Sequence, residues 1–144
     1  MSYKGKFKPK NPNKYKGDPT NIVYRSLWEF KLMKNLDEHP EIVQWSSEEL
    51  FIPYKSPIDN KWHRYFPDFI VKKINNGIKE TLMIEVKPKS QVLAPKKQEK
   101  ATKRYINEVY TWGVNQAKWK AAEEFCLDRG WKFMLMTEIE LGIK

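Results

Sequence analysis

Hydrophobic and polar positions repeat with two different periods in the first part of the chain, and each period predicts a type of element. Apolar positions three and four residues apart predict a helix over residues 22–36, which His39-Pro40 brings to an end. Runs rich in β-branched and aromatic residues follow, separated by turn-forming residues. These runs predict three strands joined as an antiparallel meander, over residues 48–54, 62–72 and 80–87.

The last third of the chain returns to helical spacing before a final apolar run. A basic helix is predicted over residues 96–112 and a second helix over 115–129, with Gly113 between them and Gly130 as a left-handed C-cap. Residues 131–136 predict a buried strand. Because a helical crossover joins parallel strands, we expect this strand to lie parallel to one strand of the meander.

These elements predict an α/β fold in the order α-β-β-β-α-α-β, with a central mixed four-stranded sheet flanked by helices. The length of 144 residues fits one domain. Pro9, Pro12 and Pro19 exclude a helix near the N-terminus, so we predict an extended basic arm over 1–20 and a folded domain over 21–144.

Several classes of protein are disfavoured by composition. No apolar run approaches the length of a membrane span, and the first lysines are not followed by the apolar core of a secretory signal. The chain has 1 cysteine, Cys126, which excludes an intrachain disulfide and a thiolate metal site. We therefore expect a protein that is neither secreted nor in a membrane, with Cys126 as a small buried hydrophobe.

The charge indicates a polyanionic partner. Lysine and arginine number 27 against 18 acidic residues, a net charge of +9. Neutralising the phosphates of a nucleic acid releases counterions and so favours binding by such a chain. Six of the lysines precede the first acidic residue, Asp18: Lys4, Lys6, Lys8, Lys10, Lys14 and Lys16.

Candidate chemistry lies on the third predicted strand. Side chains alternate along a strand, so Glu85 and Lys87 share one face. Asp68, on the preceding predicted strand, can lie beside Glu85. Two close carboxylates favour a divalent cation, Mg²⁺ or Mn²⁺, between them. A lysine on the same face can orient water or offset negative charge on a phosphodiester.

Two motifs carry a resemblance to a known family. Pro67-Asp68 followed by Glu85-Val86-Lys87 resembles the PD-(D/E)XK nuclease motif, and 24–29 (YRSLWE) resembles a helical element of its TnsA-like endonuclease branch. The resemblance implies a restriction-endonuclease-like core. It also implies that Glu29 joins Asp68 and Glu85 as an acidic residue at the metal site.

Longer collinear stretches resemble the head-completion nucleases of T4-like tailed phages. The resemblance implies a role in processing packaged DNA, with double-stranded DNA and portal, neck or head proteins as partners, in the virion or the host cytoplasm. The stretches are GKFKPKNPNKYKGDP at 5–19, IVYRSLWE at 22–29, HRYFPDF at 63–69, IEVKPK at 84–89, NEVYTWGVNQAKWKAA at 107–122 and RGWKF at 129–133.

Each candidate also has a simpler interpretation. Ser26 and Glu29 fit a helix-capping box, Asp68 after proline fits a turn, and Glu85 with Lys87 fits the solvated face of a strand. The joint occurrence of all of them, in the required order and on suitable elements, favours the nuclease site.

Basic residues after the third strand are candidates to track the DNA backbone, although a basic run also suits a solvated helix face. The predicted DNA-binding residues are Lys89, Lys96, Lys97, Lys100, Lys103 and Arg104, with Lys4, Lys6, Lys8 and Lys10 of the arm. Asn115, Gln116 and Lys118 are further candidates to approach the substrate. His63 is more simply a structural residue than a contact to phosphate.

We therefore predict a Mg²⁺-dependent DNA endonuclease with little sequence specificity, whose catalytic residues are Glu29, Asp68, Glu85 and Lys87. Three alternatives stay open. The first is a structural head-neck protein that binds DNA or the portal without cutting. The second is the endonuclease subunit of a TnsA-like transposase, and the third is a junction resolvase.

Overall fold

A computed structural model describes residues 4–143, which form eight strands and four helices. The strands are β1 (Gly5–Phe7), β2 (Ile22–Tyr24), β3 (Ile42–Ser47), β4 (Ile52–Lys55), β5 (Trp62–Tyr65), β6 (Phe69–Asn75), β7 (Ile78–Val86) and β8 (Lys132–Met136). The helices are α1 (Leu27–Glu38), α2 (Lys89–Val92), α3 (Lys103–Arg129) and α4 (Glu138–Leu141), and Pro12–Lys14 form a 3₁₀ turn.

The central sheet has four strands in the order β3-β6-β7-β8. β3, β6 and β7 are antiparallel neighbours, whereas β8 pairs with β7 in parallel. This arrangement confirms the predicted mixed four-stranded sheet and its parallel last strand. No helix within residues 4–143 is long and apolar enough to cross a membrane.

The first strand of the sheet differs from the prediction. β3 takes that place, and its Ser46 and Ser47 are buried although their composition does not indicate a strand. The predicted strand over 48–54 instead contributes β4 to a separate hairpin with β5. The predicted strand over 62–72 is divided into β5 and β6 at Pro67, which has no N–H to donate to a strand ladder.

The two helices predicted after the meander are one helix of 27 residues. Gly113 lies inside α3, where a glycine costs only about 1 kcal/mol relative to alanine and the flanking residues sustain the helix. Residues 96–102 lie outside the helix, which begins after Thr102, whose hydroxyl accepts from the Tyr105 amide. Gly130 ends it with φ of 69°, as predicted.

Apolar side chains pack on both faces of the sheet. On one face, α1 and the N-terminal residues bury Met33, Trp45 and Phe69. On the other face, α3 and the β4–β5 hairpin bury Met83 and Trp119, together with Cys126 as expected. The sheet therefore separates two hydrophobic cores.

The N-terminal residues are fastened to α1. The carboxylate of Asp37 accepts from the backbone amides of Lys10 (2.7 Å) and Asn11 (3.0 Å), and Lys14 Nζ donates to the Asp37 carbonyl (2.9 Å). Phe7 and Tyr15 are buried in the core. The division into an arm and a domain at residue 20 stays a prediction, as does any role of residues 1–3, which lie outside the described residues.

The helix predicted from residue 22 begins five residues later. Ile22–Tyr24 form β2, which pairs with β1 of the N-terminal segment. Ser26 is the N-cap of α1 and accepts from the Glu29 amide. Residues 22–24, which periodicity alone assigned to the helix, therefore form a strand because they pair with β1.

Candidate active site

Asp68 and Glu85 are brought together by the register of β6 and β7. Phe69, the first residue of β6, is opposite Ile84 in the antiparallel register. The next residues at that end, Asp68 and Glu85, are therefore neighbours. The carboxylate of Asp68 accepts a 2.8 Å hydrogen bond from the Val86 amide. Glu85 is buried, with 6% of its surface exposed.

Burial and mutual repulsion favour protonation of this carboxylate pair. Burial, followed by the charge of Glu85, raises the pKa of Asp68 to about 8. Burial also raises the pKa of Glu85, whereas the nearby Lys87 ammonium acts in the opposite direction. Near neutral pH the pair therefore holds a proton or attracts a cation, which is the electrostatic requirement of a metal site.

Glu29 adds a third acidic side chain close to the pair. Its Oε2 accepts from the Ser26 hydroxyl at 3.3 Å, while its amide donates to Ser26 Oγ at 3.2 Å. Burial and then the Asp68 charge raise the pKa of Glu29 to about 7. Glu29 therefore belongs to the helix cap and to the electrostatic surroundings of Asp68 at once.

Arg25 and Glu48 form an ion pair at the edge of this acidic group. Arg25 Nη2 lies 3.1 Å from Glu48 Oε2, and the Glu48 amide donates to the Asp68 carbonyl at 3.2 Å. Glu48 has a φ of 54°, which is unusual for a residue with a side chain and is held by these two contacts. The ion pair thus joins the loop before α1 to the loop after β3, and the Glu48 amide joins that second loop to Asp68.

Two residues that the sequence did not single out as catalytic complete the surroundings of Glu85. The Tyr65 hydroxyl is buried beside Glu85, and burial with the charge of Glu85 raises its pKa. Lys118 Nζ lies 5.7 Å from the centre of the Tyr65 ring and 5.8 Å from that of Tyr54. Burial lowers the pKa of Lys118, and the charge of Glu85 opposes that effect.

The signal for Lys118 in the sequence is its place in α3. A lysine beside Trp119, on the side of the helix that also carries Asn115, interrupts an otherwise packed surface. Asn115 is buried at 6% exposure and lines a cleft beside α3, whereas Gln116 is exposed on the opposite side of the helix. Of the three proposed substrate contacts, Lys118 and Asn115 therefore lie near the site and Gln116 does not.

The donor chemistry of Asp68 and Glu85 fits a hard divalent cation. Carboxylate oxygens are ligands that Mg²⁺ prefers, and Mg²⁺ usually keeps several waters beside one or two carboxylates. No group of three or more acidic, histidine or cysteine side chains is assembled to hold a metal within residues 4–143. Asp68 and Glu85 are thus suitable ligands, and a direct bond from Glu29 stays a prediction.

The predicted DNA-binding residues lie in three places. Lys103 and Arg104 begin α3 and line the cleft beside it, while Lys96, Lys97 and Lys100 are exposed in the preceding loop. Lys89 is exposed at the start of α2, directly after the Lys87 loop.

The arm lysines are exposed as well, but Lys10 forms an ion pair with Glu38 at 3.0 Å. His63 lies 2.7 Å from Asp59 on the β4–β5 hairpin, which supports a structural role. Lys4, Lys6 and Lys8 therefore remain the arm residues best placed for a polyanion.

Comparison with known proteins identifies a family. The sequence model described as "TnsA-like endonuclease N terminal" matches residues 39–138, which include Asp68, Glu85 and Lys87. The chain is also 44% identical over 142 residues to the "Head completion nuclease" of Enterobacteria phage T4, covering 96% of this chain and 93% of that protein. Both findings confirm the resemblance seen in the motifs, and the chain belongs to the TnsA-like endonuclease family.

Proposed function

We propose that this protein is a nuclease of phage head completion that hydrolyses DNA with a divalent metal ion. The observation that carries the proposal is the buried pair of Asp68 and Glu85, with Lys87 two residues further along the same chain segment. The similarity to a head completion nuclease over 96% of the chain supports the biological setting.

Each acidic residue has a part in the proposed reaction. Asp68 and Glu85, aided by Glu29, hold Mg²⁺ or Mn²⁺. When bound, the ion lowers the pKa of water and offsets charge on the phosphodiester. Lys87 stabilises the negative charge that develops on the phosphate, and burial of the site strengthens that interaction.

We propose double-stranded DNA as a partner, cut with little dependence on sequence. The candidate contacts around the site are lysines and arginines, which position a phosphate backbone and carry little information about bases. Proteins of the portal, neck or head are proposed as further partners on the ground of the T4 relative's name.

The test is incubation of the purified protein with supercoiled plasmid in Mg²⁺, Mn²⁺ or EDTA. We expect nicking that requires the metal and is lost in Lys87→Ala. Lys79→Ala is the matched control, because Lys79 is an exposed lysine on the same strand, β7, at its other end. Equal cutting by both variants would remove Lys87 from the reaction.

A structural head-neck protein that binds DNA without cutting is the second candidate. The exposed lysines of the arm, Lys4, Lys6 and Lys8, favour it because they suit a polyanion and lie outside the acidic site. Plasmid binding without cutting in either metal would favour this candidate or a nuclease that requires a partner subunit, as in the transposase alternative.

A further inference from the structure

A cleft of about 940 Å³ opens beside the first half of α3. One wall is the segment over residues 90–95, and the other is the face of α3 that carries Lys103, Asn107, Thr111 and Asn115. The segment over 90–95 follows Lys87 by only a few residues. We call this feature the α3 cleft, and one of its walls leads directly away from the candidate active site.

The polar lining of the α3 cleft extends along one side of the helix towards Lys118. Asn107, Thr111 and Asn115 also line a second hollow, of about 330 Å³, together with Lys118. Residues spaced by three and four lie on one face of a helix, so these four side chains form a polar row. The row ends at Lys118, whose ammonium lies 5.7 Å from the centre of the ring of Tyr65, the tyrosine beside Glu85.

The chemistry of the lining suits a single strand of nucleic acid. Lys103, Arg104 and Lys118 supply positive charge, and the one lining carboxylate, Glu108, is already paired with Arg104 at 3.2 Å. Amides and hydroxyls of the row donate and accept hydrogen bonds as the edges of unpaired bases do.

Apolar surface in the same cleft suits the faces of unpaired bases. Leu93 is 58% exposed at the cleft, and Trp112 lines it from the helix. Positive charge combined with such surface is the usual composition of single-strand sites, where bases stack on side chains. The cleft volume is within the range of roughly 300–1,000 Å³ typical of small-ligand pockets, which suits a few nucleotides.

We propose that the α3 cleft binds single-stranded DNA that continues from the active site, so that the preferred substrate is DNA carrying an unpaired strand. The inference rests on the proposed function, because it names the substrate of that same site. In this arrangement the duplex lies near the exposed lysines, and the unpaired strand follows the polar row from Lys118 towards Arg104.

The test measures binding without cutting, by fluorescence anisotropy of the full chain in EDTA. The probes are a blunt DNA duplex and the same duplex with a short single-stranded extension of either polarity. We expect the extension to tighten binding by about tenfold, which is about 1.4 kcal/mol and corresponds to stacking of one base.

Two variants that replace an amide by a carboxylate identify the surface responsible. Asn107→Asp places a negative charge in the polar row, and Gln116→Glu places one on the exposed opposite side of α3. Both side chains are exposed, so neither change disturbs the core. We expect Asn107→Asp to abolish the preference for the extended duplex and Gln116→Glu to retain it.

Equal affinity for blunt and extended duplexes would overturn the inference, as would equal behaviour of the two variants. Its failure is distinguishable from failure of the proposed function. Metal-dependent plasmid cutting without a preference for extensions would reject only the α3 cleft as a single-strand site. A preference abolished by Asn107→Asp, in a protein that cuts nothing, would retain the cleft as a single-strand site and reject cutting by the chain on its own.

Discussion

The carboxylate of Asp68 accepts a 2.8 Å hydrogen bond from the backbone amide of Val86, the residue between Glu85 and Lys87. One bond thus ties the start of β6 to the end of β7 at the point where the candidate catalytic side chains emerge. Asp68 consequently has a structural contribution that can be separated experimentally from any contribution to catalysis.

Asp68→Asn and Asp68→Ala are expected to differ in stability and to agree in activity. Asparagine retains an oxygen that accepts from the Val86 amide, whereas alanine leaves that amide without its partner, at a cost of about 1–3 kcal/mol. Urea unfolding measures the difference, and plasmid cleavage is expected to be lost in both variants. Equal unfolding free energies would show that the Val86 bond contributes nothing to stability.

The metal-free protein is expected to lose stability as the pH rises from about 5 to about 8. Folding raises the pKa of Asp68 to about 8 and that of Glu29 to about 7, above the unfolded values of roughly 4. Stabilisation from a raised carboxyl pKa is complete below the unfolded pKa and is lost as the pH passes through the folded pKa. Melting temperatures in EDTA across this window measure the effect.

A matched pair of variants assigns this pH dependence. Asp68→Asn is expected to flatten the fall in melting temperature, because the titrating group is gone. Asp18→Asn is the control, since hydrogen bonds from Thr20 lower the pKa of the exposed Asp18 and place its contribution at acid pH. An unchanged slope in Asp68→Asn would show that Asp68 does not titrate in this window.

Mg²⁺ is expected to raise the melting temperature at about pH 8. A ligand that binds only the folded state stabilises it, by about 2.7 kcal/mol at a concentration one hundred times its Kd. The effect is expected to vanish in Asp68→Asn and to be absent when NaCl of equal ionic strength replaces the magnesium salt. A wild-type protein that does not respond would argue against a site made by Asp68 and Glu85.

Arm lysines are expected to contribute to the salt dependence of DNA binding. Lys4, Lys6 and Lys8 are exposed, and each phosphate they neutralise adds about 0.9 to the slope of log K against log salt. Changing all three to serine is therefore expected to reduce the slope by up to about 2.7. Substitution is preferable to deletion of the arm because Phe7 and Tyr15 belong to the core. An unchanged salt slope would show that the arm does not contact DNA.

Asp37→Ala is expected to destabilise the fold by about 2 kcal/mol, because the backbone amides of Lys10 and Asn11 lose their acceptor. Glu38→Ala is the matched control at the next position. It removes only the exposed ion pair to Lys10, which is expected to contribute less than about 1 kcal/mol. Urea unfolding of both variants measures the two losses in free energy of unfolding. Similar losses would contradict the anchoring role of Asp37.

Local sequence patterns predicted those elements whose secondary-structure preference matches the burial they have in the fold. The apolar run over 80–87 predicted β7, and Gly130 ended α3 as expected. β3 was missed because Ser46 and Ser47, although polar, are buried by tertiary packing that periodicity does not report. A break was predicted at Gly113 because glycine has a low helix propensity. The helix continues because the flanking residues of α3 outweigh that penalty.

The candidate site was predictable only in part, for a similar reason. Asp68 and Glu85 follow from the order of two consecutive strands joined by a tight turn, which the sequence shows directly. Lys118 comes from a helix far along the chain, and its proximity to Glu85 depends on how α3 packs against the hairpin. The catalytic roles of Glu29, Asp68, Glu85 and Lys87 stay predictions.

The hydrogen bond from the Glu48 amide to the Asp68 carbonyl closes the base of the excursion that contains β4 and β5. The chain leaves the sheet at Ser47 and rejoins it at Phe69, and these two residues are register partners. The hairpin is therefore an exchangeable insertion: its tip can lengthen or change sequence while the sheet and Asp68 keep their places. Two residues of the hairpin, Tyr54 and Tyr65, are less free to change, because their rings contact the ammonium of Lys118. Relatives that differ in substrate are therefore expected to vary most between these two tyrosines.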